Sequence, residues 1–266
     1  MSVAIKTTDQ LKEDLKAAVE RAGNLALDYF GKDLKIETKA DGSKVSEADL
    51  AVNEVLKKEL TALDPSIHWV SEESEMKNER LTAKRLWVVD PIDGTSSFLN
   101  HENDWTISAA LVEDSKPIIG AVFNPPRGQF FLAKRGQGTT LNGAKVQTTT
   151  TKHLKDATVI TSKTHFKRAF KEVAEKPDHY WRCSMAYRIA LVAAGKVDAT
   201  ISLTPKSDWD IAASHLILEE AGGKISTAQG KEINYNQPEL RHSSVVASAK
   251  SLYSAIIAHT SKDQTS

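Results

Sequence analysis

The sequence has a single cysteine, Cys183, among its 266 residues. No internal disulfide can staple it, and the chain reads as one made for a reducing, cytoplasmic setting. Net charge is missing as well: Lys and Arg together number 35, and so do Asp and Glu. That balance offers no basic footprint for a nucleic-acid polymer or an anionic membrane surface. An anionic small molecule stays admissible, because a bound metal can supply the positive charge. No apolar run reaches the length of a membrane span. The start, Met1-Ser2-Val3-Ala4-Ile5-Lys6, turns polar before a signal-peptide core could form. Repeats and low-complexity tracts are absent too. What the chain does have is a hydrophobic fraction of 40%, enough for a large core in one two-part unit or two small domains.

Hydrophobic spacing divides the chain into halves. Apolar residues at Leu11, Leu15, Val19, Ala22, Leu25, Ala26 and Tyr29 predict a helix that Gly31 stops. Residues 34–38 alternate as a strand and lead into a turn-rich loop, Lys39 to Lys44. A second helix is expected over residues 46–63, opened by the capping box Ser46-Glu47-Ala48-Asp49. Strands are expected at 67–70, 86–89, 105–112, 117–123 and 129–133, then a hairpin around Asn142-Gly143. Residues 1–150 are therefore α+β. The polar stretch 148–155 is the expected boundary, and in residues 151–266 strands and helices alternate in an α/β pattern. Helices are expected there at 166–175, 186–194, 208–221 and 251–259, with a strand at 180–182.

The centre of the sequence is Trp87-Val88-Val89-Asp90-Pro91-Ile92-Asp93-Gly94-Thr95-Ser96-Ser97-Phe98. The spacing predicts a buried strand ending before Pro91. Gly94 then permits a tight turn, with Thr95 or Ser96 capping the next element. Asp90 and Asp93 would lie close together, which requires a cation or a proton between them. Their oxygens suit Mg²⁺ completed by substrate phosphate; turn-forming Asp side chains are the alternative. Two further acidic elements carry the same ambiguity. Glu72-Glu73 reads as a ligand pair or as a solvated loop. In Asp208-Trp209-Asp210, Asp208 reads as the helix N-cap, and Asp210 as a first-turn charge or a ligand. Asp49 is open between cap and chemistry.

Three motifs in order resemble the inositol monophosphatase superfamily of Mg²⁺-dependent, lithium-sensitive phosphatases: Glu72-Glu73-Ser74, the Trp87–Phe98 stretch, and Trp209-Asp210-x-Ala212-Ala213 with Glu220-Ala221-Gly222-Gly223. The resemblance implies a layered αβαβα sandwich, usually a homodimer. It implies that Glu72, Asp90 and the Ile92 carbonyl hold one Mg²⁺, and that Asp90, Asp93 and Asp210 hold a second. Glu72 would also serve a weaker third site. Gly94 and Thr95 amides would grip the phosphate, and Thr95 with Asp49 or Glu72 would activate water.

Within that superfamily, residues 39–49 and Ser184-Met185-Ala186-Tyr187-Arg188 look most like the CysQ-type 3′(2′),5′-bisphosphate nucleotidases, which convert adenosine 3′,5′-bisphosphate to AMP. Ser46, Lys44 and Ser96-Ser97 depart from that branch's usual residues. The inositol branch places a sugar-binding Glu seven residues before the Asp of Trp-Asp; here Leu203 stands there, and a site that lacks its hydroxyl partner loses heavily. Lys39, Arg188 and Arg241 are instead candidates for a second phosphate, and Ser184 for a further substrate contact. Inositol 1-phosphate, histidinol phosphate and fructose bisphosphate are the alternative substrates, and a non-catalytic Mg²⁺-binding regulatory member is the alternative class.

Overall fold

In the strand Arg85–Asp93, Leu86 and Val88 pack into one buried cluster while Trp87 and Val89 pack into another on the opposite face. A strand covered on both faces is apolar throughout rather than alternating, which is why its sequence reads as one continuous run. In the computed structural model the described residues are 6–40 and 42–261. Residues 1–5 (the polar start read above), Asp41 of the turn-rich loop and residues 262–266 lie outside them.

The helices are α1 (Thr8–Tyr29), α2 (Glu47–Leu63), α3 (Thr95–Leu99), α4 (Lys163–Ala169), α5 (Met185–Ala193), α6 (Asp208–Glu220) and α7 (Lys250–Thr260). The strands are β1 (Ile36–Thr38), β2 (Lys44–Ser46), β3 (His68–Ser71), β4 (Arg85–Asp93), β5 (Thr106–Glu113), β6 (Lys116–Asn124), β7 (Gln129–Lys134), β8 (Thr139–Leu141), β9 (Ala144–Val146), β10 (Thr158–Ile160), β11 (Asp178–Tyr180), β12 (Ala199–Ser202), β13 (Lys206–Ser207), β14 (Gly223–Ser226), β15 (Arg241–His242) and β16 (Val245–Ala249). A seven-stranded sheet runs β3-β4-β5-β6-β7-β8-β9, antiparallel except for β3 beside β4. A five-stranded sheet runs β11-β10-β12-β16-β14. Helices α1 and α2 cover the outer face of the large sheet. Between the sheets lie α5 and α6, and α4 and α7 cover the far face of the small sheet. The result is the expected αβαβα sandwich.

The chain leaves the large sheet at Val146 and enters the small one at Thr158, yet one apolar cluster joins Val88, Ala110 and Phe131 to Ile189, Leu216 and Val245. Gly120 is what lets α6 lie so close. A Cβ there would stand 2.5 Å from the Ala213 carbonyl oxygen, a distance no real side chain tolerates. That contact fixes the height of α6, and with it Asp210, over the large sheet.

Several expectations need correcting. β4 does not stop before Pro91: it continues to Asp93 through an irregularity between Asp90 and Asp93. Pro91 cannot donate to a ladder, and a break in register removes the need for it to do so. Gly94 itself, not Thr95 or Ser96, is the N-cap of α3, at φ 97°, where glycine avoids the cost of a side chain. Ser207, not Asp208, caps α6. The helix expected at 166–175 occupies Lys163–Ala169, capped by Ser162, and the strand expected at 180–182 occupies Asp178–Tyr180.

Candidate active site

Two elements bring three carboxylates together: the end of β4 carries Asp90 and Asp93, and the first turn of α6 carries Asp210. Glu72, in the turn after β3, stands outside that trio and acts on Asp90 through its charge. A carboxylate oxygen from each of Asp90, Asp93 and Asp210 lies within 4.8 Å of the other two. Each is held by donors. Asp90 Oδ1 accepts from the Ile92 amide at 3.1 Å. Asp93 Oδ2 accepts from Ser184 Oγ and from the Ala186 amide, both at 2.6 Å. Asp210 Oδ2 accepts from the Ser207 amide at 2.7 Å, closing a capping box. Asp210 is thus both cap and cluster member.

The electrostatics are those of a site built for a cation. Burial, then the charges of Glu72, Asp93, Asp210 and Asp49, push Asp90 well above the usual carboxylate range. Burial and the Asp210 charge push Asp93 up to about 6. Burial raises Asp210 against the pull of Lys206, and it raises Glu72 to about 7 despite Lys39. Buried acids that cannot all ionise beside one another call for positive charge between them. An all-oxygen donor set suits a hard divalent ion such as Mg²⁺, so the residues present fit the metal that the motifs imply.

Asp49 carries both of its alternative readings at once, on different oxygens. Oδ2 accepts from the Ser46 amide at 2.8 Å and from Ser46 Oγ at 2.6 Å, completing the cap of α2. Oδ1 faces Thr95 Oγ1 at 3.3 Å, and that hydroxyl also lies 3.1 Å from the Ile92 carbonyl. Asp49 is buried, and burial raises its pKa. The positive φ of Gly94 turns the chain sharply into α3 between Asp93 and Thr95, and a Cβ there would press within 2.8 Å of the Asp104 carbonyl oxygen.

The expected substrate contacts sort differently. Lys39 Nζ sits on Glu72 at 3.0 Å and Glu73 at 2.6 Å, so these glutamates form no solvated loop. Ser184 is fully buried. Its hydroxyl caps α5, lies 3.1 Å from Thr106 Oγ1 and bonds Asp93; it positions a carboxylate instead of facing a substrate. Arg241 is exposed on β15. Arg188 is buried beside the acidic cluster. Asp208 is also buried, accepting from the Asn236 amide and from His242 Nε2, each at 2.8 Å, which pins the start of α6. Sequence reasoning missed Lys206, whose charge acts on both Asp93 and Asp210; its place four residues before Asp210 was the available signal. It also missed the Ala186 amide, which has no side-chain signature.

The inositol monophosphatase family pattern matches residues 8–265. A 3′(2′),5′-bisphosphate nucleotidase CysQ of Aggregatibacter actinomycetemcomitans is 30% identical over 259 residues, spanning 87% of this chain and 90% of that protein. The Nus factor SuhB of Xylella fastidiosa is 31% identical over 227 residues, 81% of each chain. Among solved structures, the Thermotoga maritima IMPase TM1415 superposes with a TM-score of 0.84 at 25% identity, over 96% of this chain and 98% of that one. With the fold, the ordered motifs and the carboxylate cluster in agreement, the chain belongs to the inositol monophosphatase family and is a metal-dependent phosphoric monoester hydrolase.

Proposed function

We propose that this phosphatase is a 3′(2′),5′-bisphosphate nucleotidase that cleaves adenosine 3′,5′-bisphosphate to AMP and phosphate. The meeting of Asp90, Asp93 and Asp210 within 4.8 Å carries the hydrolytic reading. The substrate reading draws on the CysQ relatives and on Leu203, which offers an apolar side chain where the inositol branch has a sugar-binding Glu.

Glu72, Asp90, the Ile92 carbonyl, Asp93 and Asp210 would hold two or three Mg²⁺ ions. When bound, the metal neutralises the phosphate dianion, acidifies water and stabilises the leaving oxygen. The chain's own residues do the rest. Gly94 and Thr95 present amides to the phosphate. Thr95 orients the attacking water, and Asp49, with its Oδ1 toward that hydroxyl, takes the proton; a carboxyl whose pKa is raised by burial accepts it more readily than an exposed one. Ser184 and the Ala186 amide hold Asp93 in place.

The test is phosphate release from adenosine 3′,5′-bisphosphate, inositol 1-phosphate and histidinol phosphate, with and without Mg²⁺ and with Li⁺ added. The highest kcat/KM on the bisphosphate supports the proposal. A preference for inositol 1-phosphate or histidinol phosphate moves the chain to another branch of the family. A second reading, a non-catalytic regulatory role, draws on the SuhB relative, which is named a Nus factor; robust Mg²⁺-dependent turnover removes it.

A further inference from the structure

Arg80 is 6% exposed, although Glu75 to Glu79 before it and Leu81, Thr82 and Lys84 after it are all exposed. It sits in a 3-10 turn, Asn78–Thr82, on the segment that leads from Glu72 to β4. Its guanidinium reaches across to the other half of the chain. Nη1 donates to Asn236 Oδ1 and to the Gln237 carbonyl, and Nη2 donates to the Pro238 carbonyl, each at 2.9 Å. Asn236 Nδ2 donates back to the Arg80 carbonyl at 2.8 Å. All three acceptors of the guanidinium are neutral oxygens, so this contact uses the planar fork of arginine and not a pairing of charges.

The turn that Arg80 holds wraps the start of α6. The Asn236 amide donates to Asp208 Oδ2, the Asp208 amide donates to the Leu240 carbonyl, and His242 Nε2 lies against Asp208 Oδ1, each at 2.8 Å. Ser207 pairs with Arg241 where β13 meets β15, and in the same turn it closes the capping box with Asp210. Residues 227–240 have no helix or strand of their own. An irregular segment opens readily unless specific contacts tie it down. We propose that Arg80 is a positioning residue for Asp210. Through residues 236–238 it fastens the turn that pins Asp208, and so it holds the first turn of α6 where Asp210 can share a cation with Asp90 and Asp93. The proposal rests on the reading of Asp210 as a metal ligand and deepens it. Groups that orient a ligand govern metal affinity nearly as strictly as the ligands do. Arg80 also ties the segment that follows Glu72 to the helix that carries Asp210, so one buried side chain sets the spacing between two sides of the site.

The experiment measures Mg²⁺ affinity of the metal-free protein by calorimetry, together with Tm and phosphate release at increasing Mg²⁺, using whichever ester named above the wild type cleaves fastest. Arg80→Met removes all three donors and should weaken Mg²⁺ binding about tenfold. The Mg²⁺ concentration giving half-maximal kcat should rise by the same factor, and the KM for the ester should not change at saturating Mg²⁺. Arg80→Lys keeps the charge without the fork and should recover only part of the loss. Asn236 has a left-handed φ of 57°, which glycine adopts without strain. Asn236→Gly therefore keeps the amide bond to Asp208 and cuts only the side-chain link to Arg80; it should weaken Mg²⁺ binding about threefold. The double variant Arg80→Met/Asn236→Gly should bind no more weakly than Arg80→Met alone, because both substitutions break one connection. A lower Tm with unchanged Mg²⁺ affinity in the single variants, or losses that multiply in the double variant, overturns the proposal and leaves Arg80 as a contact of the fold. If Arg80→Met does not fold, Arg80→Lys and Asn236→Gly decide. A wild type that binds no Mg²⁺ overturns the metal reading as well.

Discussion

Ser184 Oγ lies 2.6 Å from Asp93 Oδ2, a contact between residues 91 apart in sequence. It ties the N-terminus of α5 to the end of β4, so a residue on the α/β side of the chain sets the orientation of a carboxylate on the α+β side. Hydrogen bonds to an ionised carboxylate favour its charged form. Ser184→Ala should therefore weaken Mg²⁺ binding about tenfold, the equivalent of one lost charge-assisted bond. Calorimetric titration of the metal-free protein measures it. Unchanged affinity would show that the Ala186 amide holds Asp93 unaided.

Asp93→Asn should lower kcat/KM by about three orders of magnitude, since a neutral amide cannot replace a metal-ligating carboxylate. The fold should survive, and without metal the variant should melt at or above the wild-type temperature. Asp93 sits among like charges that raise its pKa, and removing one charge relieves that repulsion. Near-wild-type turnover would retire the metal scheme.

Asp49→Asn separates the two uses of that side chain. The amide oxygen can still accept from Ser46, so the helix cap should lose no more than about 1 kcal/mol. The amide cannot take a proton through Thr95, so kcat should fall about 100-fold. A large drop in Tm at constant kcat would make Asp49 a structural cap alone.

Without metal, stability should fall as pH rises. Folding raises Glu72 from 4.5 to about 7 and Asp93 from 3.8 to about 6. Between those limits the folded state binds more protons than the unfolded one, so the stability present below about pH 4 is progressively lost up to about pH 7. Mg²⁺ binds the ionised carboxylates, so its stabilising shift should grow over the same range. Melting curves with EDTA and with Mg²⁺ at pH 5 and pH 8 test this; an equal Mg²⁺ shift at both values would contradict it.

The sequence by itself determined the order of elements, α+β and then α/β, and its three ordered acidic motifs carried the resemblance that implied the chemistry and the layered sandwich. Hydrophobic period distinguished α1 and α2 from the strands of the large sheet, because burial on a helix face or a sheet face is a local pattern. The acids Glu72, Asp90, Asp93 and Asp210 were readable in their motifs, and so was the Ser46–Asp49 cap, whose partners are three residues apart. Tertiary structure alone decided what those residues meet. It carried β4 past Pro91, made Ser184 a support for Asp93, placed Lys39 on Glu72 and Glu73, and buried Asp208 against His242. It also left Arg188 buried under Trp181 with open donors. The physical reason is range: a capping bond or a hydrophobic stripe is formed by neighbours along the chain, whereas the balance of charge and hydrogen bonding in a buried site is set by groups that only folding brings together.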